Sequence, residues 1–336
     1  MNKKVTIRDV AKKAGVSVTT VSQILNGKGQ RFSKHTREHV LKLRDELNYV
    51  PDFNARNLIL HSSKTIGVLV PSMSNPFFSS FIQGVQDQCR TREMIPLVFG
   101  ANHDEKLERY YLTQLVARSV DGLIIASSTI TTKTIDEILR PVRLPYVLFD
   151  QNGSRGGDRL EVDDYQGGQL AAKHLASLGH RHIVVVMPDD ATNNVDQRLA
   201  GFVAGMEESN VPFSPATDIV SADLTKRGGY ESTNDVIQKH PTAVFATNDE
   251  IAIGLMRGLK EHGLRIPDDV SVMGYDDIDL DEYITPALTT VQQPTHQIGV
   301  EAAQMLFNRI DNNEVDLQRV FLPVHLIQRQ STTQLK

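Results

Sequence analysis

Eight residues on scattered segments of this chain share one chemistry. Asp150, Arg198, Asn248, Asp276 and Gln293 supply carboxylate acceptors, a rigid guanidinium fork and amides that both donate and accept. Phe77 and Phe78 add aromatic faces, and Asn75, in Ser74-Asn75-Pro76-Phe77-Phe78, adds a further amide. A polyhydroxylated ring needs this mixture, because its hydroxyls donate and accept while its ring face is apolar. Each residue alone has an ordinary explanation: loop Asp and Asn form turns, and Phe fills cores. Their joint placement carries the argument, since each lies on a segment beside the end of an apolar run or the start of a helix.

Those runs define the elements that must position the site. Ile66–Val70, Ile95–Phe99, Gly122–Ala126 and Tyr146–Phe149 read as short buried strands, with helices expected over 77–92, 105–118 and 134–139. The rhythm restarts with helices over 164–178 and 198–209, a strand at Ile183–Met187, a further round from Ile219, and strands at 244–246 and 270–273. Continuous apolar strands alternating with helices predict parallel sheets covered on both faces. Two such rounds predict two similar lobes with a cleft between them, and ligand groups just past the carboxyl ends of the strands.

The N-terminal stretch has a different character. Thr6 with Asp9 suits a capping box, Gly15 a tight turn, and Ser17 the cap of a second helix. Val21, Ile24 and Leu25 fall on one side of that helix, while Val18, Thr19, Ser22 and Gln23 point away from it. This is helix-turn-helix spacing, in which the second helix enters the major groove; an ordinary surface hairpin of helices would share the pattern. Charge separates the two readings. Residues 1–62 carry a net +7 and the remainder −12, so a basic head precedes an acidic body, as expected of a nucleic-acid-binding module. Ser33 should open a third helix to about Leu47, with Val40, Leu43 and Leu47 inward. Residues 51–60 then form at most a short helical linker, unstable alone. From the residues alone it is a tether with Leu58 packed on the body.

At 336 residues the chain suggests two or three domains. It has no apolar run of 18 residues, no apolar stretch after its N-terminal lysines, and a single cysteine, Cys89. A cytoplasmic protein without transmembrane helix or intrachain disulfide is expected. No G-x-S-x-G elbow, P-loop or H-E-x-x-H occurs, and no enzyme activity or cofactor is expected. The acidic run from Asp276 to Glu282 lacks calcium-loop spacing, and His180 and His182 lack a third ligand, so no metal is expected.

The stretch Thr6–Asn26, followed by Asn48-Tyr49-Val50-Pro51, closely resembles the LacI/GalR family of bacterial transcriptional repressors, and the resemblance runs the length of the chain. It implies an α/β, two-lobed core like the periplasmic sugar-binding proteins, preceded by a small all-α helix-turn-helix head. The implied domains are a DNA-binding head at 1–50, a hinge helix at 51–63 and a regulatory and dimerisation domain at 64–336. Lobe 1 would span about 64–161 and 293–322, and lobe 2 about 162–290 and 325–336. DNA contacts would come from Thr6, Ser17, Val18, Thr19, Thr20, Ser22, Gln23 and Asn26, and from Ala55 and Leu58 of the hinge, where a leucine wedge enters the minor groove. The cleft set Asn75, Phe77, Phe78, Asp150, Arg198, Asn248, Asp276 and Gln293 is similar to that of ribose-binding proteins and ribose repressors. It departs from them at Gln151, where they carry Arg, and at Leu224, which replaces a stacking Phe. The implied protein is a homodimeric repressor of a sugar-utilisation operon, with operator DNA as partner and a small sugar, best matched by D-ribose, as effector. A repressor answering to purines or to a phosphorylated carrier protein as corepressor is the alternative, and a sugar-binding protein with no regulatory role a distant one.

Overall fold

The computed structural model describes residues 5–50, 62–102, 104–127, 130–149 and 156–335. Ala55, Leu58, Asp150 and Gln151 therefore lie outside the described residues, as does most of the expected hinge. The chain forms two compact units, Met1–Ser63 and Lys64–Lys336.

The first unit holds three helices: α1 (Ile7–Ala14), α2 (Val18–Leu25) and α3 (Lys34–Glu46). The Thr6 amide and hydroxyl both donate to Asp9 Oδ2, at 2.8 and 2.7 Å. Gly15 ends α1 at φ +67°, the left-handed region that glycine enters without steric cost. Ser17 Oγ then accepts from Thr20 N at 3.1 Å and starts α2, and Ser33 Oγ accepts from Thr36 N and starts α3. Val10, Ala11, Val21, Ile24, Val40 and Tyr49 make the small core. Leu43, expected inward, stays outside that cluster and Leu41 packs against it instead, while Leu47 packs against it as expected.

The second unit contains two six-stranded sheets. The first uses β1 (Thr65–Val70), β2 (Ile95–Gly100), β3 (Gly122–Ile125), β4 (Tyr146–Phe149), β5 (Asp158–Val162) and β11 (Arg319–Leu322), in the order β11-β5-β4-β3-β1-β2, all parallel. Its helices are α4 (Pro76–Thr91), α5 (Glu105–Ala117), α6 (Thr132–Ile138) and α13 (Thr295–Asp311). The second sheet uses β6 (Ile183–Met187), β7 (Ile219–Ser221), β8 (Ala243–Ala246), β9 (Ser271–Asp276), β10 (Thr289–Gln292) and β12 (His325–Ile327), in the order β12-β10-β9-β8-β6-β7. It is flanked by α7 (Asp164–Ser177), α8 (Asn193–Glu208), the short α9 (Pro215–Asp218), α10 (Lys226–Glu231) and α11 (Thr233–Gln238), and α12 (Asp249–Glu261). This is the doubly covered, two-lobed α/β architecture that the alternation of strands and helices predicts.

The chain passes between the sheets three times: from Val162 to Asp164, from Gln292 to Thr295, and from Leu322 to His325. Three local features differ from expectation. Residues 158–162, for which no strand was expected, form one that leads directly into the first passage. Strand β12 runs antiparallel to β10, so the second sheet is mixed. Helix α8 begins at Asn193, five residues before the expected start, because Thr192 leaves the helical region at φ −75°, ψ 157° and serves as its cap. His180 is explained without a metal: its ring bonds Thr242 Oγ1 and the Thr333 carbonyl oxygen, both at 3.1 Å.

Candidate functional site

In the body, one cavity of about 910 Å³ is bordered by residues of both lobes. It brings together Asn75, Phe77, Phe78, Arg198, Asn248, Asp276 and Gln293. Lobe 1 supplies the aromatic wall. Asn75 caps α4, its Oδ1 accepting from Phe77 N at 2.9 Å, and this aims Phe77 and Phe78 off the first turn. Phe77 packs edge-on against Phe78 and stacks on Phe149, with centroids 5.0 and 6.1 Å apart.

The facing lobe supplies the polar wall. Its centre is Arg198, buried in the second turn of α8. Its Nε donates to Asp164 Oδ1 at 2.8 Å and its Nη1 to the Thr247 carbonyl at 2.7 Å. The guanidinium lies over the Tyr275 ring, 3.8 Å from the centroid, and Nη1 stands 3.7 Å from Asp276 Oδ1. Gln293 Nε2 donates to that same Asp276 oxygen at 2.7 Å. Gln293 Oε1 is buried and no donor among the described residues reaches it.

The helices meet closely enough for this because of two glycines. A Cβ at Gly201 would stand 1.8 Å from the Tyr165 carbonyl oxygen, and one at Gly168 2.0 Å from the Arg198 carbonyl oxygen. Any larger residue would force α7 and α8 apart and separate Asp164 from Arg198. Asp276 itself is the last residue of β9, not part of the loop beyond it, and has φ +124°. Such backbone is uncommon for a non-glycine residue and is found at sites that over-determine it.

Burial and charge set the protonation pattern. Burial pushes the Asp276 carboxyl up to about 8, against the pull of Arg198 and with the push of Asp249. Burial also raises Asp164, opposed by Arg198. Burial alone would lower Arg198, but Asp164, Tyr275 and Asp276 around it raise it above its ordinary value, so it stays a cation. The arrangement is a fixed cation with flanking acceptors facing an aromatic wall, which can grip a neutral ring bearing several hydroxyls. Asn248 is less available: its Oδ1 accepts from Ile251 N and caps α12, and its Nδ2 donates to the Leu224 carbonyl at 3.3 Å. The cavity is also lined by Asn102, Ser127, Phe149, Asp190 and Asp223, which sequence reasoning did not single out, and by Leu224. Phe149 and Ser127 end or follow strands of the first sheet, the one signal that could have found them.

In the head, Val18 and Thr19 are exposed at the start of α2, and Thr6 and Asn26 are exposed beside it. Ser17 and Thr20 are tied to each other through their hydroxyls at 2.9 Å. Ser22 and Gln23 are half-buried, and the Gln23 amide oxygen is buried without a described donor. Gln23 thus stands less freely in solvent than its spacing suggests.

Residues 6–52 match the lacI family of bacterial regulatory proteins, and residues 172–332 match a periplasmic binding protein-like domain. A curated relative, the HTH-type transcriptional repressor PurR of Vibrio parahaemolyticus, is 36% identical over 325 residues, covering 94% of this chain and 95% of that protein. The chain belongs to the lacI family. As a lacI-family protein it is a DNA-binding transcriptional regulator, with a helix-turn-helix head and a ligand-binding body. Among solved lacI-family structures, a regulator from Enterococcus faecalis with bound ribose is 42% identical, with TM-score 0.75, covering 81% of this chain and all of that one. A lac repressor dimer bound to operator and an anti-inducer is 27% identical, with TM-score 0.87, over 98% of this chain and all of that one. No helix among the described residues of this lacI-family chain is long and apolar enough to cross a membrane.

Proposed function

We propose that this protein represses a sugar-utilisation operon, and that a small sugar, D-ribose, bound between the lobes sets its operator affinity. One observation carries the reading: a caged guanidinium with acceptors at its sides faces a pair of phenylalanines across a single cavity. The ribose-bound Enterococcus regulator supports the choice of sugar. Asn75, Phe77, Phe78, Arg198, Asn248, Asp276 and Gln293 are the proposed contacts, with Asp150 as the eighth. The protein acts as a cytoplasmic, non-enzymatic homodimer, since two-fold protein symmetry matches two-fold operators. Its domains are the head at 1–50, the hinge at 51–63 with Ala55 and Leu58 at the minor groove, and the sensor at 64–336.

Thermal-shift measurements test the effector. A ligand that binds only the native state raises the melting temperature by mass action. Ribose is expected to raise it selectively among pentoses, hexoses, sugar phosphates and purines. The full-length PurR relatives favour a second reading, a purine effector. A purine response with silence from every sugar would decide for it. Silence from all of them would move the effector to a phosphorylated carrier protein acting as corepressor.

Operator readout falls to α2, with Thr6, Ser17, Thr20, Ser22 and Asn26 on the backbone and Val18, Thr19 and Gln23 at base edges. Glutamine prefers adenine and arginine guanine. Gln23→Arg is therefore expected to shift preference at one position per half-site, by about 1–3 kcal/mol. A base-substitution series read by fluorescence anisotropy checks this, and an unchanged profile would contradict it.

A further inference from the structure

We infer that Asp164 is a positioning residue through which a ligand held by Arg198 acts on the first passage between the lobes. The inference rests on the reading of the cavity as the effector site and adds how occupancy is sensed. Asp164 is the first residue of α7, and only Asp163 separates it from the end of β5 in the other lobe's sheet. It is buried, and it is absent from the residues that line the cavity. Its position at the helix start is not explained by capping, because Asp163 Oδ1 already accepts from Gln166 N at 2.9 Å. Its Oδ1 instead accepts from Arg198 Nε, with Tyr275 beside it.

Arg198 is held from the other side by Asp276, and Asp276 by Gln293, which stands in the second passage. One guanidinium is thus tied to residues at two of the three passages between the lobes. Its two described hydrogen bonds use Nε and Nη1, leaving Nη2 for a ligand. The packing around the pair is close: a Cβ at Gly168 would lie 2.0 Å from the Arg198 carbonyl oxygen, and one at Gly167 2.2 Å from the Tyr275 hydroxyl. A ligand that draws the guanidinium into the cavity therefore draws Asp164, and with it the segment Val162–Asp164. Coupling of this kind requires that the ligand favour one arrangement of the passages over another.

The test uses the full-length protein and three variants. Asp164→Asn keeps the shape and removes the charge, Asp164→Glu restores the charge on a longer arm, and Lys173→Ala alters an exposed residue of the same helix as a control. Calorimetry with ribose gives effector affinity, and anisotropy with operator DNA gives operator affinity with and without saturating ribose. In Asp164→Asn the change of operator affinity at saturating ribose should shrink at least about fivefold, with Lys173→Ala unchanged and Asp164→Glu partly restored. A full wild-type response in Asp164→Asn at saturation would overturn the inference, leaving Asp164 as a determinant of affinity alone. If the wild-type protein itself ignores ribose, the effector reading fails separately. The ligand-free operator affinity of Asp164→Asn then decides: a shift of about fivefold or more absent from Lys173→Ala upholds the role at the passage, and no shift ends it.

Discussion

Arg309→Ala is expected to cost the body about 3–5 kcal/mol of stability, the usual penalty for stranding one partner of a buried ion pair. Arg309 Nε and Nη2 donate to the two oxygens of Asp158 at 3.0 and 2.8 Å, and both side chains are almost wholly buried. The same guanidinium donates to the carbonyls of Asn313, Val315 and Asp316. Asp158 also accepts from Gln318 N at 2.8 Å. The pair therefore joins the start of β5, the end of α13 and the loop that delivers β11, the strand before the third passage. Alanine leaves a buried carboxylate without its cation and three carbonyls without that donor. Urea unfolding followed by circular dichroism should show the midpoint fall with little change in slope. Replacing both partners, as Arg309→Met with Asp158→Leu, should recover part of the loss, because the uncompensated charge is gone. A midpoint unmoved by Arg309→Ala would show that the pair contributes no net stability.

That pair also shows where the sequence stops being readable. The central strands announce themselves: Ile66–Val70 and Ile183–Met187 are buried along their length and read as continuous apolar runs. Strand β5 does not, because Asp158-Arg159-Leu160-Glu161-Val162 alternates, with the intermediate residues less buried than their neighbours. A strand that pairs with the sheet edge and lies next to a passage keeps polar residues, and its signal looks like a loop. The cleft residues were legible for a different reason. Strand ends and the loops past them are fixed by the fold, so Asp276, Gln293 and the Phe77-Phe78 pair could be located once the strands were. Ser127, Asp190 and Asp223 line the same cavity but are of types that ordinary loops also use. The start of α8 was misplaced because Asn193 and Asn194 are turn formers, and the cap at Thr192 wins only in the folded context. Nothing in one-dimensional spacing distinguishes a buried aspartate from a solvated one. Asp158, Asp164, Asp249 and Asp281 look alike in the sequence, and each has a different partner in the fold.

Asp281 gives the second large expected effect, with the opposite sign: Asp281→Asn should stabilise the body above neutral pH. Asp249 is buried and accepts from Thr290 Oγ1 at 2.7 Å and from the amides of Asp277 and Ile278 at 2.6 and 3.2 Å. Burial raises its carboxyl, and these donors, with Asp281 beside it, oppose that rise and favour the ionised form. Asp281 lies against it, buried, and no described donor reaches either of its oxygens. Arg329 is engaged elsewhere, with Asp277 at 2.7 Å and Glu282 at 3.2 Å. Burial first, then the charges of Asp249 and Asp277, push the Asp281 carboxyl up to about 11, so it is held as a neutral acid facing an anion. An unfolded aspartate titrates near pH 4 (about 3.9). Between those limits the folded protein keeps a proton that the unfolded chain has released. The contribution of this group is therefore fully present below about pH 4 and is lost as pH rises toward 11. Asparagine has the same shape, donates to Asp249 without titrating, and removes that decline. The variant should melt close to wild type near pH 4 and progressively higher above it. Each kcal/mol of difference is worth about 2–4 °C in a body of this size. Asp249→Asn, which removes the acceptor of three hydrogen bonds, should instead destabilise. Melting curves of Asp281→Asn and wild type that stay parallel from pH 5 to pH 9 would contradict the shared proton.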